Sequence, residues 1–299
     1  MNEQGYLELL QDVLDHGHFK PVERTGVGTW SMFGKSLRFD LRDSRLPMLT
    51  TKKMFFKGIA KELLWFLKGD CTTTDALVKD NVRIWDLNST RDYLDSRGLH
   101  DYTEGELGPI YGYQWRHWGK PYREQQDEPP HNTQGIDQIQ TIIDTIRTNP
   151  NDRRMILSAW NVSDLDRMAL PPCHVFAQFY VKEKDDKKYL SCAMYQRSAD
   201  LFLGVPFNVT SYALLTHMLA HVTDCVADEL VMFFGDAHVY ANHIEPVKTQ
   251  LARKDRCFEA PTLRIRSAAE TKDIDQIQYT DLVLENYQSH DAIQAPMAV

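Results

Sequence analysis

The order of hydrophobic periodicities along the chain constrains its fold most, because helical and strand patterns follow one another without a regular strand–helix–strand rhythm. Helical spacing of apolar residues predicts helices over residues 5–16, 55–67, 134–147, about 209–222 and about 240–254. Alternating or short apolar runs predict strands near 37–41 and over 154–160, 174–181, 189–196, 230–234 and 262–265. This irregular mixture favours an α+β fold over a doubly wound sheet.

The chain of 299 residues predicts one domain spanning 1–299, since no Pro- or Gly-rich block separates two cores. The polar segment 120–132 is predicted to be a surface insert. With 42% hydrophobic and 25% charged residues, the composition is that of an ordinary globular protein. No apolar run approaches the roughly 20 residues of a membrane helix, and the first residues do not resemble a secretory signal. We therefore expect no membrane association.

The cysteines and the net charge narrow the class of function. Five scattered cysteines without a CxxC pair indicate a reducing compartment and argue against a disulfide framework or a zinc ribbon. A net charge of −8 argues against nucleic acid as the main partner, yet allows a local arginine cluster that holds one small anion. We expect a cytoplasmic protein, with a nuclear or organellar pool left open.

Two side chains stand out as candidates for chemistry. Glu62 shares the apolar stripe of its helix with Phe55, Ile59 and Phe66, which places a carboxylate where desolvation raises its pKa. A structural salt bridge to Arg or Lys is the alternative reading. Cys173 follows two prolines and directly precedes a predicted strand, which would hold its thiol in a fixed position. The alternative is that Cys173 is a small buried apolar residue, as most free cysteines are.

Adjacent strand residues point to opposite faces, so His174 is badly placed as a base for Cys173 in a cysteine hydrolase. His217 and His221 have the i, i+4 spacing of metal ligands, but the glutamate of an HExxH motif and a third ligand are missing. We therefore expect no metal site. Dinucleotide and P-loop fingerprints are also absent from the sequence.

Arginines and a polar strand face could bind an anionic ligand. Arginines at strand ends can converge on a phosphate, and here they are Arg24, Arg153, Arg154 and Arg197. In an extended segment Asp236, His238 and Tyr240 line one face, which is either a binding surface or the solvent side of an edge strand.

With these residues in view, the chain resembles thymidylate synthases from end to end. The matching stretches are Arg24-Thr25-Gly26, residues 50–53, 62–67, 84–86, 105–112, 151–154, 169–174, 195–200, 204–208 and 296–299. The resemblance implies reductive methylation of dUMP by 5,10-methylenetetrahydrofolate, a mixed sheet covered by helices on one face, and an obligate homodimer that packs through its other sheet face. It also implies a C-terminal lid at 295–299.

The family's site residues can be carried over position by position. The implied catalytic group is Cys173, Glu62, Tyr111, Arg197, Asn208 and Asp200. The implied dUMP contacts are Arg24, Arg153, Arg154, Arg197, Ser198, Asp200, Asn208, His238 and Tyr240, with Arg153 and Arg154 coming from the partner subunit. The implied folate contacts are Lys52, Ile84, Trp85, Asp200, Leu203, Phe207 and Val299.

Within these sets the resemblance implies specific roles. Cys173 adds to C6 of uracil, Glu62 moves protons through water, and Tyr111 helps to remove the C5 proton. Asn208 reads the uracil edge, and His238 with Tyr240 reaches the 3′-hydroxyl. A pyrimidine nucleotide hydroxymethylase of the same superfamily and a catalytically silent nucleotide- or RNA-binding protein remain as alternatives.

Overall fold

Long alternating segments build the central sheet of this protein. The computed structural model describes residues 3–21, 26–123, 135–266 and 272–297. The six strands of the main sheet are β1 (His18–Lys20), β2 (Thr29–Asp40), β3 (Ile156–Ser158), β4 (His174–Lys184), β5 (Lys187–Asp200) and β6 (Cys225–Tyr240). Their order is β1-β2-β6-β5-β4-β3, in which only the β5–β6 pair is parallel.

The helices differ in how much of their surface is apolar. They are α1 (Glu3–His16), α2 (Phe56–Lys68), α3 (Asp75–Lys79), α4 (Arg91–Ser96), α5 (Tyr111–His117), α6 (Gln138–Thr148), α7 (Gly204–Val222) and α8 (Ile244–Leu251). Helix α7 is buried on nearly all sides and packs against β5 and β6, as expected of a helix that is apolar all round. Helix α2 packs against α5 and α7, so its buried face points toward the centre of the molecule.

The two faces of the sheet have different surroundings. Helices α1 and α7 cover one face. On the other face, Phe176, Tyr195 and Phe233 lie side by side in register on β4, β5 and β6, and Phe176 and Phe233 are exposed. Tyr180 and Ile156 extend this exposed apolar surface, which we call the bare face.

The α+β class and the mixed character of the main sheet are confirmed, but several element boundaries were wrong. Helix α7 begins at Gly204, five residues before the predicted start, and the strand predicted over 154–160 is only Ile156–Ser158. The helix predicted over 240–254 is shortened because Tyr240 still belongs to β6, which pairs with Thr29 of β2. Short helices α3, α4 and α5 were not predicted, since each carries too few residues for a periodic pattern.

A small second sheet lies outside the main one. Strand β7 (Thr262–Ile265) was predicted, and it pairs antiparallel with β8 (Leu282–Glu285), which was not. Most of the polar insert predicted at 120–132 lies outside the described residues, as do the last two residues of the predicted lid. Within the described ranges we find no helix that combines the length and apolar character needed to span a bilayer.

Candidate active site

The segment before β4 holds Cys173 in a frame of backbone hydrogen bonds. The Cys173 N–H donates to the Tyr111 hydroxyl at 2.8 Å, and the Cys173 carbonyl accepts from the Arg197 N–H at 2.9 Å. The Arg197 side chain continues the frame, because its Nε and Nη2 donate to the carbonyls of Pro172 and Pro171 at 2.8 and 2.9 Å. The two prolines restrict the backbone and the three donors fix its position, so the partly exposed thiol sits on a rigid support.

Glu62 lies on α2 with an indole as its partner. The Trp85 Nε1–H donates to Oε1 of Glu62 at 2.7 Å, and no ion pair to Glu62 occurs among the described residues. The salt-bridge alternative is therefore wrong for the described part of the chain. Burial of the carboxyl group raises the pKa of Glu62 from 4.5 to about 7, against a smaller lowering by the Trp85 hydrogen bond. The group can accordingly hold and release a proton near neutral pH.

His174 is packed away from the role of a base. Its ring stacks on Tyr111 at 4.1 Å, and its Nδ1 lies 3.0 Å from the Tyr212 hydroxyl. Burial lowers the pKa of His174 to about 3, so the ring stays neutral at physiological pH. Burial also raises the pKa of Tyr111 well above its usual value. A neutral, buried His174 ring is thus unsuited to act as the base of a cysteine hydrolase.

Asn208 is the fifth residue of α7 and lies beside the end of β5. Its Oδ1 accepts from Nε2 of Gln196 at 3.0 Å, and the same nitrogen donates to the Ser198 carbonyl at 3.0 Å. Gln196 is buried, and its Oε1 has no hydrogen-bond partner among the described residues. The amide of Asn208 is therefore held in one orientation by a side chain from the neighbouring strand.

The parallel β5–β6 pair brings two polar groups together. Asp200 stands opposite His238 in the register of the two strands. Oδ1 of Asp200 accepts from the N–H groups of Phe202 and Leu203 at 3.0 and 3.2 Å, which ties the carboxylate to the turn before α7. The His238 ring packs edge-on against Tyr240 with 5.2 Å between centroids. Asp200, His238 and Tyr240 thus share one end of the sheet.

Comparison with known proteins shows which family the chain resembles. The family model described as thymidylate synthase matches residues 4–299. The chain is 50% identical to the thymidylate synthase of Saccharomyces cerevisiae over 303 residues, covering 99% of this chain and 97% of that protein. It is 50% identical to the Homo sapiens thymidylate synthase, over 99% of this chain and 91% of that one.

This chain belongs to the thymidylate synthase family. A bifunctional dihydrofolate reductase-thymidylate synthase of Leishmania major is also similar, at 49% identity over 99% of this chain and 55% of that protein. With matches over the whole chain, thymidylate synthase is the enzymatic function of this protein.

Most residues that the family resemblance assigns to folate are apolar side chains packed against the core, and one is a buried lysine. Ile84, Leu203 and Phe207 are partly buried and pack against the core, and Trp85 is buried beside Tyr111. Nζ of Lys52 donates to the Phe202 carbonyl and lies 3.5 Å from the centroid of the Phe202 ring. Burial lowers the pKa of Lys52 to about 7. The contact of Lys52 with folate stays a prediction.

The arginines predicted to bind phosphate divide into two groups. Arg197 is part of the Cys173 frame, and its guanidinium lies 5.3 Å from the Trp160 ring. Arg153 and Arg154 are exposed before β3, where Arg154 pairs with Asp152 at 2.8 Å. Arg24 and Val299 lie outside the described residues.

Three residues that position the predicted site side chains were not predicted from the sequence. Trp160 packs on Arg197, Gln196 orients Asn208, and Glu3 accepts hydrogen bonds from the backbone and hydroxyl groups of Thr50 and Thr51 beside Lys52. Only the polar character of Gln196 inside an apolar strand was a usable signal. Among the described residues, no group of three or more His, Cys, Asp or Glu is arranged to hold a metal ion.

Proposed function

We propose that this enzyme methylates C5 of dUMP with 5,10-methylenetetrahydrofolate as donor of both carbon and hydride, releasing dTMP and dihydrofolate. The observation that carries the proposal is a thiol on a rigid backbone frame within a site that also contains Glu62, whose pKa is about 7. C5 of uracil is a weak nucleophile, so the reaction needs a reversible activating addition and controlled proton transfer.

In the proposed mechanism the Cys173 thiolate forms a bond to C6, and the C5–C6 electron pair becomes an enolate that attacks the one-carbon iminium of the folate. A nearby guanidinium favours the thiolate over the thiol, and Arg197 supports this loop directly. Because Arg197 also donates to two prolyl carbonyls, a phosphate that binds it would be placed relative to Cys173.

Two groups suit the proton transfers. A carboxyl with a pKa of about 7 is populated in both protonation states at neutral pH, so Glu62 is assigned to protonate and deprotonate the pyrimidine and folate through water. Tyr111, whose hydroxyl accepts from the Cys173 N–H, is assigned to assist removal of the C5 proton. Elimination of tetrahydrofolate then leaves an exocyclic methylene, which hydride from the folate reduces as the bond to Cys173 breaks.

Recognition of the nucleotide is assigned to groups with fixed directions. Asn208 would bind the uracil edge, Ser198 with Arg24 and Arg197 the phosphate, and His238 with Tyr240 the 3′-hydroxyl. The hydrogen bond from Gln196 to Asn208 supports this assignment because it leaves the amide one orientation toward a pyrimidine. Asp200 would bind the pterin, and Ile84, Trp85, Leu203, Phe207 and Val299 would pack the folate.

We further propose a homodimer formed through the bare face, in the cytoplasm. Phe176, Tyr180 and Phe233 expose apolar rings on this face, and burying such a patch against a second copy is favourable. Arg153 and Arg154, exposed at the adjacent edge strand, would then reach the partner's phosphate site. Mixed dimers of Arg154→Ala and Cys173→Ala chains should regain activity through one intact site, and verified mixed dimers without activity would contradict the shared site.

The mass of the product separates this reaction from the hydroxymethylase alternative. Purified enzyme is incubated with dUMP and methylenetetrahydrofolate, with dCMP in a parallel reaction. We expect a methylated product with one dihydrofolate released per turnover, because Trp85 and the C-terminal lid would exclude water from the methylene intermediate. A hydroxymethyl product would overturn the hydride step, and turnover of dCMP would overturn the assignment of Asn208.

A further inference from the structure

Nδ1 of the His238 ring faces the residue two positions before it in the chain, Asp236. Nδ1 of His238 lies 3.2 Å from the Asp236 carbonyl oxygen and 3.3 Å from Oδ1 of the Asp236 carboxylate. Both oxygens can only accept a hydrogen bond, so Nδ1 must carry a proton. In the neutral imidazole the other nitrogen, Nε2, is then an acceptor and cannot donate.

The Asp236 carboxylate is itself fixed as an ionised acceptor. Nζ of Lys20 donates to Oδ2 at 2.9 Å, and Oγ of Ser31 donates to Oδ1 at 2.7 Å. Hydrogen bonds from His238, Lys20 and Ser31 hold the pKa of Asp236 well below its usual range. Three donors, one each from β1, β2 and β6, therefore converge on one carboxylate. Because this carboxylate is ionised, Asp236 has no proton to donate to the His238 ring.

We infer that Asp236 is a positioning residue that sets the tautomer of His238, so that the site accepts a nucleotide whose sugar presents a hydrogen-bond donor at the 3′ position. This inference rests on the proposed contact between His238 and the 3′-hydroxyl of dUMP. A 3′-hydroxyl donates to Nε2, whereas a 3′-fluorine of similar size cannot. A polar sugar group that only accepts would leave two acceptors facing each other.

Two substrates and two variants test the inference. The ratio of kcat/KM for dUMP to that for its 3′-fluoro-3′-deoxy analogue is measured in the full-length enzyme and in Asp236→Ala. We expect the normal enzyme to prefer dUMP by about 10- to 100-fold, the worth of one good hydrogen bond at a desolvated group. Asp236→Ala removes the carboxylate and leaves Nδ1–H only the backbone carbonyl of residue 236 as acceptor. The ratio should therefore fall by several-fold, since part of the population can turn the ring or exchange its proton and present Nε2–H.

Lys20→Met is the matched control, because it removes another partner of the same carboxylate and leaves the contact between Asp236 and His238 intact. We expect it to retain most of the preference. Asp236→Asn preserves the side-chain volume and serves if the alanine variant does not fold; its amide can donate to Nδ1 and should also reduce the ratio.

Long-range ¹H–¹⁵N spectra of the histidine rings give an independent readout of the tautomer. We expect His238 to carry its proton on Nδ1 in the unaltered enzyme and to populate the Nε2–H form in Asp236→Ala. An unchanged substrate ratio in the variants, or an Nε2–H ring in the unaltered enzyme, overturns the inference. Failure of the unaltered enzyme to methylate dUMP would instead reject the proposed function, while the spectra still decide the tautomer.

Discussion

The two halves of the proposed site are held by different forces. On the nucleotide side, Cys173, Arg197, Asn208 and His238 each have a hydrogen-bonded partner at a defined distance. On the folate side, Ile84, Leu203 and Phe207 are partly buried apolar side chains in contact with the core. Hydrogen bonds fix direction, whereas apolar packing fixes volume and tolerates small rearrangements.

This difference predicts different kinetic consequences for substitutions on the two sides. Loss of an orienting hydrogen bond on the nucleotide side should lower kcat or substrate discrimination, because the reacting atoms are no longer held in the geometry that the reaction needs. Loss of volume on the folate side should mainly raise the KM for folate, because it removes binding that is equal in ground and transition states. The following variants test that division.

Replacement of Cys173 by alanine should have the largest effect. We expect turnover to fall on the order of 10⁴-fold or more, as for loss of an essential nucleophile, while dUMP still binds. Binding should survive because Tyr111 and Arg197 hydrogen-bond to the backbone of Cys173, which the substitution keeps. Single-turnover assays and calorimetric titration with dUMP measure the two quantities. Cys257→Ser, at an exposed cysteine, is the control, and comparable residual activity in both variants would remove Cys173 from its role.

Glu62→Gln should reduce kcat by about 10²- to 10⁴-fold, the usual contribution of a positioned acid–base group. The amide retains the size of the side chain and can still accept from Trp85, so the loss should be in proton transfer and not in packing. The pH dependence of kcat should lose a step near the pKa of about 7. An unchanged pH profile would assign that proton transfer to another group.

Glu62 also makes stability depend on pH in a direction that can be checked. Its pKa is raised from 4.5 to about 7, so between these values the folded protein binds a proton that the unfolded chain does not. The free energy of unfolding should therefore fall as pH rises through this window, relative to Glu62→Gln, by on the order of 1–3 kcal/mol. Denaturant titrations of both proteins at pH 5 and pH 8 measure the difference. If the free energy of unfolding depended on pH in the same way in both proteins, desolvation of the Glu62 carboxyl group would be contradicted.

Asn208→Asp should abolish discrimination between dUMP and dCMP, an effect of about 10- to 100-fold in the ratio of kcat/KM. A carboxylate cannot donate a hydrogen bond, so the variant loses the donor that would distinguish the edge of uracil from that of cytosine. Gln196→Leu should produce a smaller change in the same direction, because it removes only the group that orients Asn208. Kinetics with both nucleotides measure the ratio, and unchanged preference in Asn208→Asp would refute the assignment.

Phe207→Ala should have the smallest effect on chemistry. We expect the KM for folate to rise about 5- to 50-fold, consistent with the burial of one large apolar side chain, with kcat and the KM for dUMP nearly unchanged. Val162→Ala, at an exposed valine, is the control. A large fall in kcat for Phe207→Ala would show that the folate side also fixes direction, and the division between the two halves would fail.

Prediction from the sequence was most successful where one local pattern carries the information. The alternation in β4 and β5 and the apolar stripe that includes Glu62 both follow from residue spacing, and the fold class followed from them. The start of α7 was missed because Gly204, Pro206 and Asn208 are poor helix formers, and packing against β5 and β6 outweighs that preference. Short helix α5, which carries Tyr111, offers too little periodicity to detect.

The sequence was sufficient to determine the α+β class and, through its motifs, the family, and the family resemblance predicts which side chains are chemically active. Those properties depend on residue type and spacing along the chain. Only the tertiary structure decided which partners those side chains have: Trp85 for Glu62, Gln196 for Asn208, and Asp236 for His238. Two of these pairs join different elements, and the Asp236 carboxylate also accepts hydrogen bonds from Lys20 and Ser31, more than 200 residues away along the chain. Local periodicity carries no information about such contacts, because they form only when the sheet and helices pack.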